Sequence, residues 1–469
     1  MGSQKSINKK TNDVLDTAEE FIWGINGHPV TSKDYMSVSI DDQLLLLQQY
    51  QMSDYRFDVR LDPEGNVTWY KSEFNELLRK SEEYQIELLP VILFNLFLDD
   101  YQISEAEAYR RGEIQMKGFV SKYGKNFKVY NLGNEQDLRI LKEGRTGESP
   151  SDYDLEKFKI VAAYFKGMIS GIKQVDPKAK TLINSSNSLY FGYFQLLEDY
   201  QVDYDILGYH WYSLTDGSDK IMKEALVSLT RQFIKPIWIT EINRRHGSFK
   251  DYNNSQSHLI GSYLHSIRLI PEIQALFIYE LLDQPSLAGE NLDFEQSQYG
   301  LYQLEGGGIL SKKKIRSKQF AELLKIDIEE AKNSSQNYVY SISQKLLEKT
   351  PSGNELLYWT SKIKNTRSIE YFLDVFLKEH GLSLTNKNLQ NLSRDERKLA
   401  VNEKTNLVYQ KYLSRLPTVN EIKFWERKLS KKSIRMNIIK TLLLSEEFWE
   451  NAMRSGYERN AGFKLNSVH

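Results

Sequence analysis

Two glutamates define the chemistry this sequence can support. Glu135 stands in YNLGNEQD and Glu241 in WITEIN, each at the end of a short apolar run rich in β-branched and aromatic residues. One carboxyl held protonated beside one held ionised is the minimal kit for cutting a glycosidic bond. The acid gives its proton to the leaving oxygen and the carboxylate attacks the anomeric carbon. Arg56 in YRFDVR can keep such a carboxylate ionised by charge and hydrogen bonding, and Tyr212 in LGYHWYS can donate to it. Asn134 can bind a sugar 2-hydroxyl. Trp23, Trp211 and Tyr279 offer flat apolar faces for a pyranose. His28, His210, Glu280 and Asp283 stand at or near further strand-like ends. A lone Asn-Glu or Thr-Glu after a strand is ordinary solvated loop, so the weight rests on their joint occurrence. His258 and His265 fall in a helical pattern and read as satisfied or exposed histidines. No HExxH or dense His/Asp cluster exists, so a catalytic metal is not expected.

These residues need elements that bring them together. Strand-like runs occupy 21–26, 55–60, 86–94, 127–133, 179–185, 204–212, 235–242 and 273–280, with helical spacing in the stretches between them. Eight strand–helix units in about 300 residues predict a (β/α)8 TIM barrel, whose active sites lie at the C-terminal ends of the strands. An open doubly wound sheet is the competitor, and the lack of a G-x-G-x-x-G or Walker A motif after the first strand counts against it. A barrel is therefore expected over 19–330, behind a flexible tail at 1–18. KNSSQN at 332–337 reads as a linker.

Beyond it a smaller all-α repeat domain is expected. PSGNELLYW (351–359) matches PTVNEIKFW (417–425), and SIEYFLDVFL (368–377) resembles SIRMNIIKTLL (433–443). The expected division is a first repeat at 338–380, a connecting segment at 381–404, a second repeat at 405–455 and a tail at 456–469. Each copy reads as helix, turn, Trp-bearing helix and further helix, with the Pro in the first helical turn. Trp359 and Trp425 read as core.

The barrel stretch resembles the glycoside hydrolases of clan A. The carriers are YNLGNEQD, WITEIN, YRFDVR and LGYHWYS, and together they look most like family 39 and its bacterial exopolysaccharide-processing relatives. The resemblance implies a retaining mechanism without metal or organic cofactor. It implies Glu135 as acid/base, Glu241 as nucleophile, and Arg56, Asn134, His210 and Tyr212 as partners around them. Gln136 stands where clan members carry Pro, and Tyr279 where they carry a sugar-stacking Trp. LVYQKYLSRLPTVNEIKFW resembles a bacterial domain of unknown function that accompanies surface-polysaccharide enzymes; Tyr409, Leu413, Arg415, Pro417 and Trp425 match, and Glu421 replaces a Gly. The expectation is a retaining β-glycosidase acting on a bacterial or cell-surface polysaccharide or oligosaccharide. A non-catalytic glycan-binding barrel and a transglycosylase are the alternatives.

Composition narrows the partners. The 469 residues carry 62 Lys and Arg against 63 Asp and Glu, a net charge of -1, so bulk charge gives no reason to expect nucleic-acid binding. The absence of cysteine excludes disulfides, thiolate nucleophiles and cysteine-held metals. No apolar run reaches the ~18 residues of a membrane span, and the opening residues hold no signal-like apolar core. The compartment stays open, with a lean toward a secreted, periplasmic or cell-surface setting. Residues 401–440 hold ten basic and three acidic residues. That local excess points to an anionic polymer, or a biosynthetic protein partner, for the helical repeat; a solvated Lys-rich face is the plainer reading.

Overall fold

The computed structural model describes residues 21–94, 101–186, 191–213, 218–248, 256, 260, 263, 264, 267, 270, 272–290, 296–305, 314–318, 334–364, 369–382, 394–429, 438–445, 447, 448, 451 and 452. The expected tails at 1–18 and 456–469, and both His258 and His265, lie outside the described residues. Phe21–Ala331 form one compact unit, and the chain from Lys332 belongs to another.

In the first unit eight strands, with helices given between all but the last two, follow in chain order: β1 (Ile22–Gly27), β2 (Asp54–Val59), β3 (Glu87–Ile92), β4 (Val129–Leu132), β5 (Lys180–Ser185), β6 (Ile206–Ser213), β7 (Ile237–Arg244) and β8 (Ile273–Ile278). Each pairs in parallel with the next, and β8 pairs with β1 to close the ring. This is the (β/α)8 barrel. Helices α1 (Lys33–Met36) and α2 (Ile40–Gln49) follow β1, α3 (Lys71–Tyr84) follows β2, and α4 (Glu105–Tyr123) follows β3. Then come α5 (Gln136–Ile140), α6 (Leu155–Val175), α7 (Phe191–Asp199), α8 (Ser218–Gln232) and, after β8, α9 (Pro285–Glu290). Side-chain caps start several of them. Ser104 Oγ accepts from Glu107 N at the head of α4, and Asp154 accepts from Glu156 N and Lys157 N at the head of α6.

The barrel interior is plugged at its lower end by Leu89, Leu182, Ile206, Trp238, Ala275 and Phe277. Glycine is needed at position 24 because a Cβ there would fall 2.2 Å from the Phe277 ring. Above this plug the interior turns polar, and that layer forms the floor of the site. The larger apolar layer between strands and helices includes Trp23, Ile25, Tyr209, Trp211, Ile239 and Ile242.

The second unit is helical. It holds α10 (Ser334–Leu347), α11 (Gly353–Lys364), α12 (Ile369–Glu379), α13 (Arg394–Leu413), α14 (Val419–Leu429) and α15 (Ile438–Leu443). Ser334–Asn337 already belong to α10, so the expected linker is helical in that part. α11 and α14 begin alike. Ser352 and Glu355 exchange backbone and side-chain hydrogen bonds, as Thr418 and Glu421 do. Each pair is a capping box. Pro351 and Pro417 therefore stand just before the cap residue, not inside the first turn as the sequence pattern suggests. Trp359 and Trp425 are buried. Among the described residues no helix is long and apolar enough to cross a membrane.

Candidate active site

At the C-terminal ends of the strands lies a cleft of about 430 Å3, lined among others by Asn26, His28, Arg56, Asp58, Asn134, Glu135, Tyr212, Glu241, Arg245, Tyr279 and Tyr299. Strand register assembles its centre. Asn26 on β1 lies beside Arg56 on β2, and His210 on β6 lies beside Glu241 on β7. The register slips between Tyr209 and His210, where β7 takes up one extra residue, Thr240. That bulge changes the parity of β7. Trp238 faces the barrel plug and Ile239 the helices, yet Glu241, three residues after Trp238, again faces inward. Asn26 Nδ2 donates to the carbonyls of Thr240 and Ile278 at 3.0 and 3.2 Å, tying the bulge to β1 and β8.

Both oxygens of Glu241 are engaged. Arg56 Nη1 donates to Oε1 and Tyr212 Oη to Oε2, each at 2.7 Å. Burial works against its ionised form, but His210, Arg56 and the Tyr212 hydrogen bond outweigh it, and its pKa is lowered below the ordinary glutamate value. Arg56 is itself fixed. It donates to Asn26 Oδ1 at 2.6 Å, Asn131 Oδ1 at 3.0 Å and Asn134 Oδ1 at 2.7 Å. Asn134 Oδ1 also accepts from Asn184 Nδ2 at 3.0 Å. With its oxygen taken twice, the Asn134 amide nitrogen is the group left to meet a ligand.

Glu135 leaves β4 through a turn in which Gly133 and Glu135 itself have positive φ, 68° and 49°. Its backbone N–H donates to Asn184 Oδ1 at 2.8 Å, and its Oε1 lies 2.9 Å from His210 Nδ1. His210 Nδ1 is also 3.4 Å from Glu241 Oε2, so one imidazole edge spans the two carboxylates. The Glu135 side chain keeps 29% of its surface exposed against 8% for Glu241. One carboxyl is thus open to the solvent of the cleft and the other is held fast in its wall.

His28 forms a second polar wall. Its Nδ1 is 3.2 Å from Asp58 Oδ2, and its Nε2 is 3.4 Å from Glu280 Oε2 and 3.3 Å from the Tyr279 hydroxyl. Burial alone would depress its pKa, but the Asp58 hydrogen bond and the charges of Glu280, Asp58 and Glu241 raise it to about 9.

The strand ends expected to face a sugar divide into two groups. His28, Arg56, Asn134, Glu135, Tyr212, Glu241 and Tyr279 line the cleft, and His210 sits directly beneath it. Trp23 and Trp211 do not reach it. Successive residues of a strand face opposite sides, so with Asn26 and His210 pointing inward, these tryptophans point into the strand–helix layer, where they are 4% and 6% exposed. Glu280 is fully buried behind the wall, accepting from Tyr35 and Gln284, and burial pushes its pKa up to about 7. Asp283 pairs with the buried Lys318 at 2.6 Å. The sequence reading passed over Asn131 and Asn184, which hold Arg56, Asn134 and Glu135 in place. Asn184 ends β5 in the same way that Asn134 and Glu135 follow β4, so reading that strand end as well would have found it.

Glu135, His210 and Glu241 offer donor atoms that lie within 4.8 Å of one another. The types suit a metal, but the guanidinium 2.7 Å from Glu241 opposes a second cation there. The arrangement suits instead a buried anionic carboxylate working beside an accessible acid.

Comparison with known proteins agrees with this geometry. Residues 113–348 match Glycosyl hydrolase family 53, which lies in clan A. A β-glucosidase from Thermotoga maritima in complex with N-octyl-5-deoxy-6-oxa-N-(thio)carbamoylcalystegine is similar with a TM-score of 0.50 at 13% identity, over 66% of this chain and 98% of that one. The same enzyme in complex with noeuromycin gives 0.50 at 12% identity over the same shares. At these identities the likeness is one of fold alone. No curated protein matches the chain in sequence. The family match falls on 53; the finer likeness to family 39 rests on the sequence motifs alone. The match spans half of the sequence, and with the closed barrel it establishes that the chain belongs to glycosyl hydrolase family 53 and is a clan A glycoside hydrolase acting on carbohydrate.

Proposed function

We propose that the barrel is a retaining β-glycosidase that cuts a bacterial or cell-surface polysaccharide, with Glu241 as nucleophile and Glu135 as acid/base. The observation that carries this reading is the carboxylate spacing: an oxygen of Glu135 lies within 4.8 Å of one of Glu241. Retaining enzymes hold their carboxyls about 5–5.5 Å apart and inverting ones about 6.5–9.5 Å, to leave room for a water. Glu241 attacks the anomeric carbon while Glu135 protonates the leaving oxygen, which gives a covalent glycosyl-enzyme. Glu135, now a carboxylate, takes a proton from water, and the hydroxide formed displaces Glu241. Arg56 and Tyr212 keep Glu241 ionised for the first step. The Asn134 amide donates to the sugar 2-hydroxyl, a contact that strengthens in the transition state. The basic stretch of the helical unit attaches the enzyme to an anionic polymer.

The test is the anomer formed first. Proton NMR on fresh product from a β-glycoside is expected to show the β-anomer before mutarotation, and the α-anomer first would overturn the mechanism. Glu241→Gln is expected to abolish turnover. Glu135→Gln should spare only substrates with activated leaving groups, and near-normal turnover of an ordinary glycoside by either variant would sink the assignment.

A further inference from the structure

The repeat in the helical unit extends to residues outside its buried core. α11 and α14 correspond at an offset of 66 residues. Asn354, Tyr358 and Lys362 run four apart along α11, and Asn420, Phe424 and Lys428 do the same along α14. That spacing places each trio on one stripe of its helix. The exposures repeat as well. Both asparagines are exposed, both lysines half-buried, and Tyr358 and Phe424 are 47% and 39% exposed. So does the geometry. Each exposed ring meets a buried tryptophan edge-on at 5.1 Å, Tyr358 against Trp359 and Phe424 against Trp425. Each has its lysine ammonium above it, at 5.4 and 5.7 Å. Two of the nearby acids are committed elsewhere, Glu355 to Lys349 and Ser352 and Glu421 to Arg415 and Thr418, while Glu379 accepts from the Tyr358 hydroxyl at 3.3 Å.

We infer that these two stripes are paired binding faces for an acidic polysaccharide. An aromatic ring braced from below stacks on the C–H face of a sugar ring. The amide of the asparagine bonds hydroxyls, and the lysine reaches a carboxylate or sulfate on the chain. One such face is weak, but two in one unit bind a polymer with avidity. The two copies are packed together, as the pairing of Asp374 with Lys440 at 2.8 Å shows. The acidic class is chosen because residues 401–440, the stretch of sequence that contains the second stripe, carry ten basic against three acidic residues. The inference rests on the reading that the helical unit attaches the enzyme to an anionic polymer, and it names the residues that do so.

The experiment is affinity electrophoresis of the full chain through gels holding polygalacturonate, with neutral glucomannan as the contrast. Retardation by polygalacturonate is expected, weakened about tenfold by Tyr358→Ala or Phe424→Ala, a loss of about 1.4 kcal/mol, and abolished by the two together. Lys362→Gln with Lys428→Gln should remove most of the salt dependence. Turnover of a small aryl glycoside should not change in any of these. If the wild-type chain is not retarded, the attachment reading fails and this inference with it. If it is retarded and the double aromatic variant equally so, attachment stands and the stripes are overturned. Equal retardation by glucomannan overturns the acidic class.

Discussion

The charges around the cleft are held by position more than by number. Glu241 is an anion because Arg56 and Tyr212 meet its two oxygens, and Arg56 is fixed in turn by three asparagines. His28 is the cationic counterpart on the opposite wall. Its folded pKa of about 9 lies above the free value of 6.5. Protonated His28 therefore adds stability that is fully present below pH 6.5 and lost as pH rises through 9. The contribution is about 3 kcal/mol by the size of the shift. Urea unfolding of the wild type should show stability falling from pH 6.5 to 9 relative to a His28→Gln variant. Parallel pH dependence of the two would remove the idea.

Strands and their irregularities decide which residues meet the substrate. Regular alternation sends Trp23 and Trp211 outward, whereas the bulge at Thr240 turns Glu241 inward. The two outcomes predict different phenotypes. Trp23→Ala should cost about 3–5 kcal/mol of stability, as large-to-small changes in a packed core do, with KM of the surviving enzyme little changed. Asn26→Ala removes the ties to the Thr240 and Ile278 carbonyls and one partner of Arg56. Asn26 is a positioning residue, so its loss should lower kcat at least tenfold with KM nearly constant. Steady-state kinetics at a temperature where both variants are folded checks the split. A rise in KM alone for Asn26→Ala would count against the positioning role.

The molecule joins a glycosidase barrel to a helical unit of different composition. The cleft is lined entirely by residues of the Phe21–Ala331 unit. Removal of residues 338–469 should therefore leave kcat/KM on a small soluble glycoside within about twofold and abolish retention on an acidic polysaccharide. Loss of both would place the helical unit in the chemistry itself. The sequence by itself determined the barrel, because apolar strand runs and helical spacing are local patterns that recur eight times. It also determined the chemical types at the strand ends, Glu135, Glu241 and Tyr212 among them, since a strand's C-terminal end can be read from where its apolar run stops. What it could not determine is which way a side chain turns once a strand is irregular. One inserted residue in β7 reverses parity, and only pairing with β6 and β8 shows where the insertion falls. The buried roles of Trp23, Trp211 and Glu280, and the support from Asn131 and Asn184, were likewise decided by tertiary contacts. Those contacts join residues as far apart as His28 and Glu280, a separation over which no local pattern carries information.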